Sequence, residues 1–598
     1  MRVNLPVLVL LALALAGIAR AGDFDSRRQW MLERVQADWE EQAAKPGGNN
    51  RFYRAMALFE AGRMEEGRRL AHRGLDQLTP GNRENRWMFG GNTGFMAWPG
   101  IDLYLRCREQ LGPELRERFR TVYTGAVFYP RLSTSNHKIM AAVTRYLATQ
   151  EWGPEAFRPD PSFEEQHHAG SLFAKDDPTG EKYVRRIIAD TLRQGPGEYA
   201  SRPYGAENVL PLLTLAECAT DETIRGPARL AYDLCLAQLA PAWLEGHLAT
   251  FAPRSYPDME RQRPSGGAIV PWVYFGGTPP ADITKAHAIR ALLSAHRLPA
   301  PVITAATDRA KPYTHRALIG KWALTHYVNR DYALFSRSPK AGGPGFQGQS
   351  YPCGVMWKDA DPGRVSQLWV TNPAADDNAM KGNEAGGLHT HGVTPYEQEV
   401  QYRDALLFVF DIPAAYRNPY VLGYIPGGAR AVIDESRSSG RIFLHYGTVL
   451  IALSSPEPFT WEPSAGILAP SAKNAPGDSE FLIHRQRTAM AIETAHPDEF
   501  PGTTPEKQLQ SFQAAIRKTS NIRFTEDGQA VSHYTDRHGN RLMCTFGGED
   551  RVNDLPVDYA AWPALENPWM DQDPGGPLTV RDDRGSVVMD IPAHTGKK

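Results

Sequence analysis

Apolar residues recur at three and four positions along most of the chain between residue 25 and about residue 305. The runs RRQWMLERVQADWEEQAA, RFYRAMALFEAGRMEEGRRLAHRGLDQL, GIDLYLRCREQLGPELRERFRTVYTGAV and IMAAVTRYLATQEW carry this period. So do YVRRIIADTLRQ, NVLPLLTLAECAT, ETIRGPARLAYDLCLAQLAPAWLEGHLATFA and ITKAHAIRALLSAHRL. Gly and Pro punctuate them, and no clear strand separates them. The pattern predicts eight or more helices, mostly as antiparallel hairpins. Such hairpins close into an α/α toroid or stack as a solenoid. The absence of a strict sequence repeat favours the toroid.

After about residue 310 the period shortens. YALFSRS, VSQLWVTN, EVQYRDALLFVFDIP, ARAVIDE, GRIFLHYGTVLIALSS, FLIHRQRTAMAIETA, AVSHYTDRHGNRLMCTFGG and GSVVMDIP are short β-rich runs between Gly, Pro, Asn or Asp clusters. RHGNR reads as a hairpin turn, and TPEKQLQSFQAAIRK is the one helical candidate. The expected fold is a multidomain α + β chain: an N-terminal α/α toroid over residues 22–310, then an antiparallel β-sandwich or stacked sheets over 311–598.

Length and composition fit this division. A chain of 598 residues exceeds what one core supports. Its 42% apolar content and net charge of −2 are ordinary for a globular protein, and no basic field points to nucleic acid. The first residues read MRVNLPVLVLLALALAGIARAG. Arg2, the apolar run Val7 to Ile18 and the small-x-small triplet Ala19-Arg20-Ala21 predict a signal peptide over 1–21. The mature chain is then secreted or periplasmic, with no membrane association after cleavage. Five cysteines without CxxC spacing indicate neither a metal knuckle nor a disulfide framework, and Cys218 and Cys235 read as buried thiols.

Several polar groups sit where a site would be. In STSNHKIM, Asn136 and His137 stand side by side at the start of a helical run. In GEYASRPYGAEN, Glu198, Tyr199, Arg202, Tyr204 and Glu207 surround a loop that feeds a helix, where a scaffold can hold accessible groups. After GHLATFA, a helix ending near Ala252 leads to Arg254 and Tyr256, which share one face of an extended segment. Trp87, Asn92, Phe95 and Trp98 lie in or beside a Gly-rich loop, where an aromatic face and an amide suit a sugar ring. His389 and His391, in GGLHTHGV, would face one way on a strand. With Glu397 or Glu399 they could hold a divalent metal such as zinc, or one histidine could reach the toroid cleft. No other cofactor is implied.

The order of an Asn-His pair at a helix start, a Ser-x-x-Tyr (Ser201 to Tyr204) before a long apolar helix, and Arg254-x-Tyr256 resembles exported polysaccharide lyases of the α/α-toroid type. These include alginate, hyaluronate, glucuronan and heparinase-like families. YEQEVQYRDALLFVFDIP, YVLGYIPGGARAVIDE and RIFLHYGTVLIALSSPEPFTW resemble strands of their C-terminal β-domain. The resemblance implies β-elimination on an acidic, uronate-containing polysaccharide. Asn136 and His137 would neutralise the carboxylate, and Tyr204 would act as base, acid or both. A neighbouring cation, Arg254 or Arg202, would lower its pKa from about 10. Arg202, Tyr256, Asn92, Trp98, Tyr199 and His389 would bind substrate. Two other readings fit a toroid: an inverting hydrolase using Asp102, Glu198 or Glu207, and a glycan-binding protein without turnover.

Overall fold

A computed structural model describes residues 23–44, 51–79, 87–89, 94–128, 134–157, 177–252, 266–279, 286–320, 322–339, 353–359, 365–373, 393–462 and 479–591. The expected signal peptide, Asn92, Arg254, Tyr256, His389 and His391 lie outside these residues.

The first half is helical. In chain order its main helices are α1 (Phe24–Ala44), α2 (Arg51–Glu60), α3 (Met64–Leu78), α4 (Gly94–Arg106), α5 (Arg108–Thr124) and α6 (Ser135–Trp152). There follow α7 (Glu181–Gln194), α8 (Gly205–Cys218), α9 (Glu222–Leu239), α10 (Ile269–Phe275), α11 (Ala286–Leu292) and α12 (Ala300–Thr307). Helices α2, α4 and α8 are apolar on most sides, because neighbours cover both their faces. Helices α3, α5 and α9 pack outside them as hairpin partners, and α7 packs on α6 and α9. Helix α11 packs back on α1, α2 and α8, which closes the ring. The fold is therefore an α/α toroid rather than an open solenoid.

Two short strand pairs interrupt this half and correct the all-helical expectation. Trp87–Phe89 runs parallel to Ala126–Phe128. The long run from Glu222 does not stay helical to Ala252. Helix α9 ends at Leu239, and a 3-10 turn holds Pro241. Trp243–Leu244 and His247–Leu248 then form a hairpin around Glu245 (φ 45) and Gly246 (φ 90). Two positive φ values in succession suit a tight hairpin, so the apolar spacing of WLEGHL does not mark a helix there.

The second half is antiparallel throughout the described residues. It contains sheets of twelve, six and five strands. The six-stranded sheet is the middle layer. On the strand Ala405–Asp411, Leu406, Phe408 and Phe410 face the core shared with the twelve-stranded sheet. Leu407 and Val409 on the opposite face join Tyr534, Leu542 and Cys544 of the five-stranded sheet. Burial on both faces explains the unbroken apolar run ALLFVF, where alternation would mark a half-exposed strand. The helix Pro505–Thr519 covers a further part of this layer with Leu509, Phe512 and Ile516.

The halves meet along a polar and aromatic seam. The first strand of the second half begins at Tyr313. His326 Nε2 lies 2.7 Å from Thr250 Oγ1. The Arg337 guanidinium sits over the rings of Trp322 (4.6 Å) and Phe251 (5.3 Å). The backbone N–H of Gly320 donates to Gln194 O at 3.2 Å. All five cysteines are free thiols; Cys235 is fully buried and Cys218 partly so.

Two buried ionic clusters brace the halves. In the toroid, Arg290 donates to Asp102 and to Glu217, and both Asp102 and Arg290 are 0% exposed. In the seam, Arg337 lies 3.5 Å from both Glu397 and Glu399, so one cation serves two carboxylates. Burial raises the Glu397 pKa to about 8 against the opposing pull of Arg337.

Two predictions follow from these clusters. Arg290→Met leaves the Asp102 charge uncompensated and is expected to cost about 3–5 kcal/mol in urea unfolding. Glu397 holds its proton in the folded state to a higher pH than the unfolded carboxyl does. Between about pH 4.5 and pH 8 the native state thus binds more protons, and its stability falls as pH rises. Glu397→Gln should flatten that slope in melting temperatures measured from pH 5 to pH 8. An unchanged slope would show that another group carries the proton.

Candidate functional site

Three helix starts converge in the toroid. Phe95 is the second residue of α4, Ser135 to His137 open α6, and Tyr204 is the N-cap of α8. The His137 ring meets Phe95 edge-on with centroids 5.1 Å apart. The Tyr204 ring lies 6.2 Å from the same Phe95 ring. The imidazole and the phenol thus both contact the Phe95 ring. Each helix start brings backbone N–H groups without intrahelical partners and the positive end of a macrodipole.

One amide ties the arrangement together. Asn208, one turn into α8, accepts a hydrogen bond from Ser135 Oγ at 2.8 Å. Its Nδ2 donates to Glu198 Oε2 at 3.0 Å and to the Tyr204 carbonyl at 2.9 Å. The α6 start, the loop and the α8 cap are therefore linked through a single side chain. Asn208 was not picked out from the sequence; the signal available was its i+4 spacing from Tyr204.

The loop before α8 is tightly turned. Ser201 N donates to Glu198 O, Gly205 N donates to Ser201 O, and Tyr204 N lies 3.3 Å from Ser201 Oγ. Ala200 adopts φ 49, a conformation costly for an L side chain. The loop rests on Gly267, where a Cβ would come within 2.5 Å of Ser201 O, so only glycine fits beneath it.

The remaining sequence-derived residues divide. Asn136 is 1% exposed, and its Oδ1 makes no hydrogen bond among the described residues. Arg202 is buried at the seam, with Nη2 3.9 Å from Met356 Sδ of the strand Gly354–Lys358. Trp98 is not placed to stack on a sugar. It is 0% exposed, packs edge-on against Tyr53 at 5.8 Å, and donates its indole N–H to Thr214. Tyr199 is likewise buried, and its hydroxyl donates to Gln238 O at 3.3 Å. It packs in the helical core, and burial raises the pKa of its hydroxyl.

The carboxylates considered for hydrolysis are committed elsewhere. Asp102 is locked to Arg290, and Glu198 accepts from Asn208. Glu207 is buried 3.4 Å from His287. Glu397 and Glu399, considered as metal partners of His389 and His391, both face Arg337. Among the described residues no group of three or more His, Cys, Asp or Glu is placed to hold a metal. No helix of the described residues is long and apolar enough to cross a membrane.

No family model and no curated protein matches the chain. Among solved structures, the chain is similar to the X-ray structure of the Streptomyces coelicolor A3 chondroitin AC lyase in complex with chondroitin sulphate. That alignment covers 93% of this chain and 88% of the other, at 12% identity and a TM-score of 0.43. A likeness at that level carries no functional weight, and the toroid-plus-sheets architecture stands on the element order described above.

Proposed function

We propose that this protein is an exported polysaccharide lyase that cleaves a uronate-containing polysaccharide by β-elimination. The helical half, residues 22–310, would carry the chemistry, and residues 311–598 would support it. The observation that carries the reading is the meeting of His137 and Tyr204 on Phe95, where three helix starts converge. A carboxylate is favoured where helix N-termini point together. An imidazole and a carboxamide at that point add donors suited to charge that builds on the carboxylate.

The chemistry needs those donors. The C5 proton of a uronate is weakly acidic while the neighbouring carboxylate keeps its full charge. Asn136 and His137 would hold that carboxylate and stabilise the enolate-like species formed on deprotonation. Tyr204 would accept the C5 proton. The C5 electron pair then forms the C4–C5 double bond as the C4–O4 bond breaks, and the departing oxygen leaves with that bonding pair. It takes up a proton, and Tyr204, protonated in the first step, is placed to return it. Arg202, and Arg254 from outside the described residues, would supply the cationic field that makes a phenol a competent base. His389, Asn92 and Tyr256 are proposed as further substrate contacts. No metal enters this scheme.

The committed state of Asp102 argues against the hydrolase alternative. A fully buried carboxylate paired to Arg290 cannot act as a general acid on a glycosidic oxygen. Lyase and hydrolase products also differ in kind: only elimination leaves a conjugated double bond that absorbs in the near ultraviolet.

Tyr204→Phe should lower turnover by at least about 100-fold, the lower range expected for a general acid–base group, and Asn136→Ala by about as much, as for loss of one donor to developing charge. The measurement is the rise in near-ultraviolet absorbance on a panel of acidic polysaccharides, with circular dichroism as a check on folding. Wild-type rates in either variant would remove that residue from the mechanism. Polymer cleavage without new absorbance would replace elimination with hydrolysis.

A further inference from the structure

On the other side of the Ser135–Asn208 hydrogen bond lies a cavity of about 680 Å³. It opens between α6, α7, the loop after α7 and the turn at Gly320. Asn136, His137 and Tyr204 do not line it; their neighbours Ser135, Lys138 and Asn208 do. We infer that this cavity is a second binding site, for one acidic sugar unit, separated from the proposed reaction site by the Ser135–Asn208 wall.

Size, shape and chemistry point the same way. The volume falls within the roughly 300–1,000 Å³ typical of small-ligand sites. Tyr183 and Trp322 give aromatic surface of the kind that packs against sugar C–H faces. Thr191 and Gln194 add a hydroxyl and an amide, and the Ser135 oxygen, its hydrogen given to Asn208, adds an acceptor. The stretch Gly195-Pro196-Gly197 forms one wall, and its two glycines have no side chains to fill the space. At Gly197 a Cβ would come within 2.7 Å of Ser135 Cβ, so that wall cannot thicken without moving α6.

The charges select the ligand class. Arg186 lies 3.7 Å from Asp190, which also accepts from Arg193. Lys138 is half-buried on the cavity wall and makes no ion pair among the described residues. The lining therefore holds two cations, Lys138 and Arg186, against one anion, Asp190. A monoanionic ligand balances that excess, whereas a neutral sugar leaves Lys138 without a counter-charge among the described residues. The choice of a carboxylated sugar rests on the lyase reading; the need for an anion rests on the cavity alone.

The test is equilibrium binding to the full chain by titration calorimetry. The probe is the methyl glycoside of glucuronic acid, which has no O4-linked sugar to eliminate, so the protein's activity does not enter. The control is the neutral methyl glucoside. Wild type should bind the uronoside at a site that Lys138→Gln weakens at least tenfold, while Asn136→Ala retains it. The neutral glycoside should not compete for it. Equal binding by wild type and Lys138→Gln, no binding by wild type, or full competition by the neutral glycoside would overturn the inference. The two readings fail separately. Lys138-dependent binding in a protein without elimination activity would sink the lyase reading and leave this site standing. Elimination that depends on Tyr204, without Lys138-dependent binding, would do the reverse.

Discussion

The side chain of Asn208 holds two helix starts and a loop in one register. A hydrogen-bond donor aimed at a substrate must be fixed before the substrate arrives, or binding has to supply the ordering cost. Asn208 provides that fixing from a buried position. It has one acceptor and two donor hydrogens, and the bonds to Ser135, Glu198 and Tyr204 use all three. Such a residue has little tolerance for replacement. Aspartate would lose both donors and bring a second carboxylate beside Glu198.

The toroid explains why helix ends, rather than helix sides, form the site. Inner helices α2, α4 and α8 are buried along their flanks, so their lateral surfaces are spent on packing. Their termini are what the ring leaves for a ligand. Around this, the central buried charges of the toroid are matched. Asp102, Arg290, Glu217 and Arg106 form a network in which every carboxylate has a guanidinium. At the seam the match is incomplete, and Glu397 responds by holding its proton.

Much of the architecture was legible because periodicity reports burial. The shift from a three-to-four to a two-residue period near residue 310 marked the change from helices to sheets, and the turn RHGNR joins the strands Val531–Thr535 and Arg541–Thr545. The hairpin at Trp243–Leu248 was illegible because its apolar residues continue the spacing of α9; Pro241 and Gly246 were the only contrary signs. Trp98 and Tyr199 show a different limit. An aromatic near a loop reads the same whether it faces a ligand or a core, and only three-dimensional contacts assign them to packing. Asn136, His137 and Tyr204 stood out for their positions at helix starts. Phe95 drew notice as a sugar-facing aromatic, but its place between two of them is a long-range fact that no local pattern encodes.

The middle layer of the second half has a consequence for how the chain comes to be made. Leu407 and Val409 share their cluster with Tyr534, Leu542 and Cys544, and the second edge of the strand at Ala317 is covered by the strand at Leu565. A polypeptide emerging in order from its N-terminus therefore carries sticky, unpaired edges until nearly all of it has been synthesised. Consecutive strands such as Tyr313–Ile319 and Trp322–Val328 can pair as they emerge, but the cover of the middle layer has to wait for the last strands. Until those strands arrive, the exposed face and edge have to be kept apart from other chains.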